Sequence, residues 1–307
     1  MLQEEMASYD LDIAARLGIE EVLLCNDESG TALALAASQE ALTLAELDAA
    51  QLDLIVDYSI LPQEYLVPAW NMSNKLQHEL GAKKALTVGF SGGGATNFLV
   101  ALSSAVALLR ANEQYTTALL VAADITIPGN RLLNPASPTT IMGDSAGAMV
   151  LRKGIEGNVV LDTEIRSHGS YHDVCYIPGG ALAHPDEPEL YRMQLDQERF
   201  NCAPKMQTLG NILDVLLARN DLAHGDIAFA LYPNLSTVDQ EEFTEGLGFR
   251  SNQIDTHNLR THGHLQGTDF VVNYLSMIAS AGLAKGQYYV AASHGMGFLA
   301  GVSLFRC

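Results

Sequence analysis

The sequence predicts an α/β fold built in layers, with helices buried at its centre, and three observations carry that prediction. Strand-like and helix-like segments alternate along the whole chain. One helical segment, roughly residues 95–109, is apolar nearly all round, which suits a helix packed between layers rather than on a surface. The grammar of the first half then recurs in the second.

Thr31–Leu42 (TALALAASQEAL) reads as an Ala-rich helix starting behind Asp27 and Ser29, whose short side chains can accept from free N–H groups. Leu52–Asp57 (LDLIVD) is a buried strand by its continuous apolar character. A helix over Asn71–Leu80 stops at Gly81. Next come a strand at Ala85–Phe90, a glycine turn, the apolar helix Ala95–Leu109 and a strand at Ala118–Asp124. The strand Ala148–Arg152 runs into KGIEGN, the predicted boundary between halves at 1–155 and 156–307. Ser167–Arg199 is irregular and carries Pro178, Gly179, Gly180, Pro185 and Pro188; an irregular stretch of this length is expected to cover a site. Helices near Lys205–Arg219, Val238–Leu247 and Asp269–Ala281, a strand at Ile227–Leu231, and closing strands Tyr288–Ala292 and Phe298–Phe305 joined through SHGMG complete the order.

Composition narrows the function. The 17 Lys plus Arg against 36 Asp plus Glu give a formal charge of -19, so the chain gains nothing from counterion release on nucleic acid and is repelled by anionic membrane surfaces. Hydrophobic residues at 48% and charged residues at 17% exclude a disordered chain and provide for a large core with a subunit interface. No uninterrupted apolar run reaches the ~18 residues of a membrane span. MLQEEMASYD lacks the basic and apolar regions of a signal peptide, so a cytoplasmic protein is expected. Cys25, Cys175, Cys202 and Cys307 have neither CxxC spacing nor the density of a disulfide framework, and no structural metal is expected.

The stretch Gly89-Phe90-Ser91-Gly92-Gly93-Gly94-Ala95 leaves free backbone N–H groups at a helix start. These can receive an anion or a developing oxyanion, and the glycines equally suit a tight turn needing positive φ. Two G-x-S-x-G strings, Gly89–Gly93 and Gly143-Asp144-Ser145-Ala146-Gly147, raise an α/β-hydrolase. A nucleophile elbow needs a strand before the serine and a helix after it. Ser145 has the reverse, following LLNPASPTT and preceding AMVLR, and Ser91 precedes further glycines instead of entering the helix. Thr261-His262-Gly263-His264-Leu265-Gln266-Gly267-Thr268-Asp269 has three readings. Thr268 or Asp269 caps the next helix; His262, His264 and Asp269 form a metal set lacking a fourth ligand; or Asp269 orients His264 as a general base.

Taken together, these strings resemble the ketoacyl synthase III branch of the thiolase superfamily from about residue 10 onward. Arg16-Leu17-Gly18-Ile19 resembles its Arg-x-Gly-Ile segment, LDLIVDYS its first-half strand, LLVAAD a strand ending in Asp124, IMGDSAGAMVL its G-D-x-A-G-A strand entry, and SHGMGFLAGVSL its closing G-G-G-F hairpin. GHLQGTDFVVNYL is similar to the string of the Cys(Ser)-His-Asp acyltransferases of natural-product pathways, of the cervimycin and daunorubicin type.

The resemblance implies a thiolase-type sandwich of two similar halves with buried central helices, pairing as a homodimer through the first half. It puts Ala95 where the acyl-accepting cysteine opens the buried helix. A methyl group forms no thioester, so the chain as written is expected to be inactive. The condensing histidine of the family's P-H-N-x-S string is missing from Leu231-Tyr232-Pro233-Asn234-Leu235-Ser236, with Pro233 in its place. By the same resemblance His264 is the base, Asp269 its orienting carboxylate, the Ala95 and Gly297 N–H groups an oxyanion hole, and Arg16, Tyr232, Asn234 and Asn273 substrate-binding residues. The implied reaction moves an acyl group from a phosphopantetheine thioester, on acyl carrier protein or coenzyme A, to a hydroxyl or amine without metal or redox cofactor. A non-catalytic partner subunit, a condensing β-ketoacyl synthase III and a hydrolase are the alternatives. The family also carries a strand ahead of its Arg-x-Gly-Ile segment. Three outcomes are open for it here: MLQEEMASYD replaces that strand, the first sheet is rearranged, or the start is truncated.

Overall fold

The computed structural model describes residues 11–61, 64–65, 70–127, 129–133, 138–180, 184–280 and 283–307. The MLQEEMASYD segment, and with it the question of what replaces an opening strand, lies outside the described residues, as does Ala281 at the predicted end of a helix.

In chain order the elements are α1 (Leu11–Leu17), α2 (Gly30–Leu44), β1 (Leu54–Asp57), α3 (Met72–Leu80), β2 (Leu86–Gly89), α4 (Asn97–Ala111), β3 (Thr117–Asp124) and β4 (Ser145–Arg152). Then follow β5 (Val159–Ser167), β6 (Cys175–Tyr176), β7 (Gln194–Leu195), α5 (Gln197–Cys202), α6 (Lys205–Arg219), β8 (Ile227–Leu231), α7 (Thr237–Leu247), α8 (His257–His262), α9 (Asp269–Ser280), β9 (Tyr288–Gly295) and β10 (Leu299–Arg306). Local chemistry sets several boundaries. Asn71 accepts from the Ser73 N–H to open α3, and Gly81 closes it in the left-handed region. Ser29 and Ser236 open α2 and α7 in the same way.

Among the described residues, two four-stranded sheets carry the fold, in the orders β2-β1-β3-β4 and β5-β10-β9-β8. In each, two parallel strands are followed by one antiparallel strand, β1/β3/β4 in the first and β8/β9/β10 in the second. Along β3 the side chains alternate faces. Ala118, Leu120 and Ala122 point into the central cluster with Phe98, Leu102 and Phe270, while Leu119, Val121 and Ala123 face α2 and α3. Val290 and Ala292 of β9 point outward under α6 and α7. The result is five layers, with α4 and α9 between the sheets.

Gly94–Ala111 is long and apolar enough to cross a membrane by length and composition. Here it packs against β1, β3, β5, β9 and β10, which accounts for its all-round apolar character. The sequence reading missed β5. Its VVLDTEIRS mixes charged and apolar side chains because it is a half-exposed edge strand.

At the entrance to the first sheet the buried Asp53 ties three strands together. It accepts from the Thr116 N–H at 2.8 Å and the Thr117 N–H at 3.1 Å, and pairs with Lys84 at 2.9 Å. Burial alone pushes its carboxyl up, but the hydrogen bonds from Lys84 and the two backbone N–H groups outweigh that and hold it at about 2. A carboxyl lowered in the folded state stabilises the fold above its unfolded pKa, about 4, and ceases to do so as the pH falls through the folded value. Urea unfolding of the parent chain should therefore show stability declining between about pH 4 and 2. Asp53→Asn should flatten that part of the profile and lower stability at pH 7 by ~1–3 kcal/mol. An unaltered acid profile in the variant would contradict the assignment.

Candidate active site

The loop between α8 and α9 is stitched to the first sheet. His264 forms an isolated parallel bridge with Met142, its N–H donating to the Ile141 carbonyl at 3.0 Å and its carbonyl accepting from the Gly143 N–H at 2.9 Å. Asp124, at the end of β3, accepts from the Gly267 N–H at 3.1 Å and from the Ile60 and Leu61 N–H groups at 2.7 Å. Two strand ends thereby fix where His264 stands.

His264 is 5% exposed and its Nδ1 lies 2.6 Å from Oδ2 of Asp269, which is fully buried. The carboxylate does not cap its own helix, as one sequence reading had it. Its Oδ2 also accepts from the Asn234 N–H at 2.8 Å, and its Oδ1 from the Leu265 N–H at 2.9 Å and Asn234 Nδ2 at 3.1 Å. Asn234 and Asn273 exchange amide hydrogen bonds, and Asn273 is held in turn by Asn258 Nδ2 at 3.0 Å and the Tyr232 carbonyl at 2.9 Å. With Nδ1–H donated to the carboxylate, the free lone pair of the imidazole sits on Nε2. Sequence reasoning passed over Asn258, which shares no local string with the others.

Ala95 sits in a one-turn 3-10 segment, Gly94–Thr96, that leads directly into α4. The glycine turn before it and the closing hairpin meet backbone to backbone. A Cβ on Gly295 would lie 1.8 Å from the Gly93 carbonyl oxygen, and one on Gly297 would lie 2.6 Å from that of Gly92. Both positions exclude any side chain. Among the described residues, neither the Ala95 nor the Gly297 N–H donates a hydrogen bond.

A cavity of about 580 Å³ is lined by Ala95, His264 and Gly297 together. The irregular 167–199 stretch covers it, contributing His172, Cys175, Tyr176, Ile177 and Met193 to the wall. Burial pushes the Cys175 thiol up to about 12, which makes it a poor nucleophile at neutral pH.

The other predicted site residues stand apart from the cavity wall. Tyr232 stacks on Phe243 with centroids 4.0 Å apart, in the outer core of the second sheet. Asn234 and Asn273 are buried behind the His264–Asp269 pair, so they position it and do not face a ligand. Arg16 is exposed in the last turn of α1, because only Leu17 and Ile19 of its segment turn into the core. Ser145 opens β4 with its hydroxyl engaged by Thr268 and the Leu265 carbonyl, and Asp144 is committed to a buried ion pair with Arg131 at 3.1 Å. Its G-x-S-x-G string is therefore a structural corner. Ser91 lines the cavity but stands in the glycine turn before the 3-10 segment. His262 turns Nδ1 to the Thr261 hydroxyl, and no group of three His, Cys, Asp or Glu suited to a metal occurs among the described residues. Among the wall residues that the sequence did not single out are Asp57 and His294, whose Nε2 lies 3.4 Å from the buried Asp239. His294 was hidden inside SHGMG, read only as a glycine hairpin.

Comparison with known proteins bears on the sequence and the fold. Residues 93–169 match the family described as 3-oxoacyl-[acyl-carrier-protein (ACP)] synthase III. Beta-ketoacyl-[acyl-carrier-protein] synthase III of Clostridium perfringens (strain 13 / Type A) is 29% identical over 315 residues, covering 99% of this chain and 93% of the relative. Among solved structures, the acyltransferase ChlB3 superposes with a TM-score of 0.82 at 22% identity, over 98% of this chain and 91% of that one. The 3-oxoacyl-(acyl carrier protein) synthase III, FabH, of Pseudomonas aeruginosa PAO1 does so with a TM-score of 0.82 at 23% identity, over 100% and 92%. In sequence the chain is similar to ketoacyl synthase III, and its fold is thiolase-type.

The crossing of the two glycine segments can be tested directly. Gly295→Ala should cost ~3–5 kcal/mol in urea unfolding, because relief of the clash requires backbone movement. Gly210→Ala, inside α6 where a Cβ meets nothing within 4 Å, should leave stability unchanged or raise it by ~0.5–1 kcal/mol. Equal effects at the two positions would contradict the close approach.

Proposed function

We propose that this site transfers an acyl group from a phosphopantetheine thioester, on acyl carrier protein or coenzyme A, to a hydroxyl or amine acceptor in secondary metabolism. The observation that carries the reading is the buried Asn234–Asp269–His264 relay, which presents an imidazole to the cavity that Ala95 also lines. With a thiol or hydroxyl at position 95, His264 would take its proton as it attacks the thioester and give that proton to the phosphopantetheine thiolate that leaves; it would later take the acceptor's proton and return it to the position-95 atom as the acyl group departs. Asp269 would hold the imidazole's tautomer and stabilise its cation, and the free Ala95 and Gly297 N–H groups would receive the tetrahedral oxyanion. The chain as it stands has a methyl group there and forms no acyl-enzyme. No metal or redox cofactor enters this scheme.

Condensation to a β-ketoacyl product is what the names of the curated relatives describe. Against it here, the P-N-L string turns Asn234 toward Asp269 and not into the cavity, leaving the Asp269-held His264 in the wall. That favours deprotonating an alcohol or amine over stabilising an enolate. Two copies pairing through the first half fit the open β2 edge, where Leu86 is exposed.

Ala95→Cys, incubated with a panel of acyl thioesters, should gain the mass of one acyl group in intact-mass spectrometry, and the parent chain none. Adding His264→Ala should slow transfer to an alcohol or amine by ~10²–10⁴-fold. Asp269→Asn should slow it by less. A β-ketoacyl product released with carbon dioxide would overturn the reading, as would the absence of any adduct on Ala95→Cys.

A further inference from the structure

Asp57 is the acidic group in the cavity wall, and nothing in the scheme above uses it. It ends β1, in register with Gly89 of β2 and Val121 of β3, and is only 7% exposed. Its Oδ1 accepts from the Ser59 N–H at 2.9 Å and the Ser59 hydroxyl at 2.6 Å. Its Oδ2 has no hydrogen-bond partner among the described residues. Among the described residues, no Lys or Arg lines the cavity. Lys75, on neighbouring α3, is bound to both oxygens of Glu64 at 2.8 Å. Burial pushes the Asp57 carboxyl up against the two bonds from Ser59, and no cation offsets it.

Aromatic rings share this wall. Trp70 and Tyr65 both line the cavity and meet edge to face, with centroids 5.4 Å apart. A desolvated carboxylate without a counter-charge, in a cavity that a tryptophan also lines, has the chemistry that recognises an alkylammonium ion. The carboxylate supplies charge and a hydrogen-bond acceptor, and the indole supplies the electron-rich face a cation prefers. A carboxylate-bearing ligand would meet repulsion in the same place.

We propose that Asp57, with Trp70, forms a subsite for a protonated amine on the ligand that enters this cavity. The further statement that this ligand is the acyl acceptor, carrying an ammonium group in addition to its attacking hydroxyl or amine, rests on the acyl-transfer reading above. Asp57 is thus a specificity-determining residue, selecting amino-bearing acceptors.

Trp70 is the chain's single tryptophan, so its fluorescence reports on this wall alone. The full chain is titrated at pH 7 with n-hexylammonium chloride, hexan-1-ol and sodium hexanoate, three probes of equal chain length. The ammonium should bind about tenfold more tightly than the alcohol, and the carboxylate more weakly than either. Asp57→Asn should bring the ammonium to within about twofold of the alcohol while leaving the alcohol's own affinity unchanged. Equal binding of the three probes to the parent chain, or preference for hexanoate, overturns the proposal whether or not the variant folds. A preference that persists in folded Asp57→Asn overturns the role of Asp57. The acyl adduct on Ala95→Cys is read without any amine present. An adduct without ammonium preference therefore sinks the subsite alone, and ammonium preference without an adduct sinks only its assignment to an acyl acceptor.

Discussion

At Gly295 and Gly297 two backbones come so close that no side-chain carbon fits between them, and the architecture of the site follows from that contact. The glycine turn ahead of α4 is built by the first sheet, and the hairpin after β9 by the second. Pressing one on the other sets the start of the central helix against the strand end carrying His294 and fixes the depth of the cavity at Ala95. Of the two interpretations of the glycines, the geometry shows the tight turn, and the oxyanion cradle belongs to the acyl-transfer proposal. Crossing the chains requires glycine, and the crossing leaves the N–H groups of Ala95 and Gly297 unspent.

Asp269 is the polar counterpart of that contact. A fully buried carboxylate is costly unless its lone pairs are filled, and here two backbone N–H groups, one amide and one imidazole fill them. The donors come from two places in the chain, Asn234 and the adjoining His264 and Leu265, so the carboxylate draws the loop after β8 and the loop before α9 to the same point. Asn273 and Asn258 lock the amide from behind. The imidazole is left with one way to stand, toward the cavity.

Much of this was legible in the sequence where the signal is local. Asn71 and Gly81 bracket α3 as their side-chain chemistry demands, and Lys205–Arg219 and Ile227–Leu231 have the expected limits. The His264–Asp269 string announced a pair because its five-residue offset is itself a local pattern. What escaped depends on distant partners. β5 alternates too weakly to read as a strand without β10 beside it. Asn258 and Asp239 matter only through residues far along the chain. Arg16 was placed at the site by resemblance, whereas its helix buries Leu17 and leaves the guanidinium outside. Ser145 shows the opposite error that a motif invites: the hydrolase string is present, and its serine is a hinge pin under Thr268.

The order β5-β10-β9-β8 carries a consequence for how the chain comes off the ribosome. Among the described residues β5 has a single neighbour in its sheet, and that neighbour is the last of the described strands, with Ser167 opposite Leu299. From the moment β5 is made it must wait, unpaired, while more than a hundred residues are synthesised, and loop closure over such a span is slow. The first sheet has no such delay, since β1 to β4 lie within one continuous run of chain. The first half can therefore assemble early, and the second zips shut only when β10 slides between β5 and β9. Because the cavity has one wall from each sheet, it comes into being as the final act of folding.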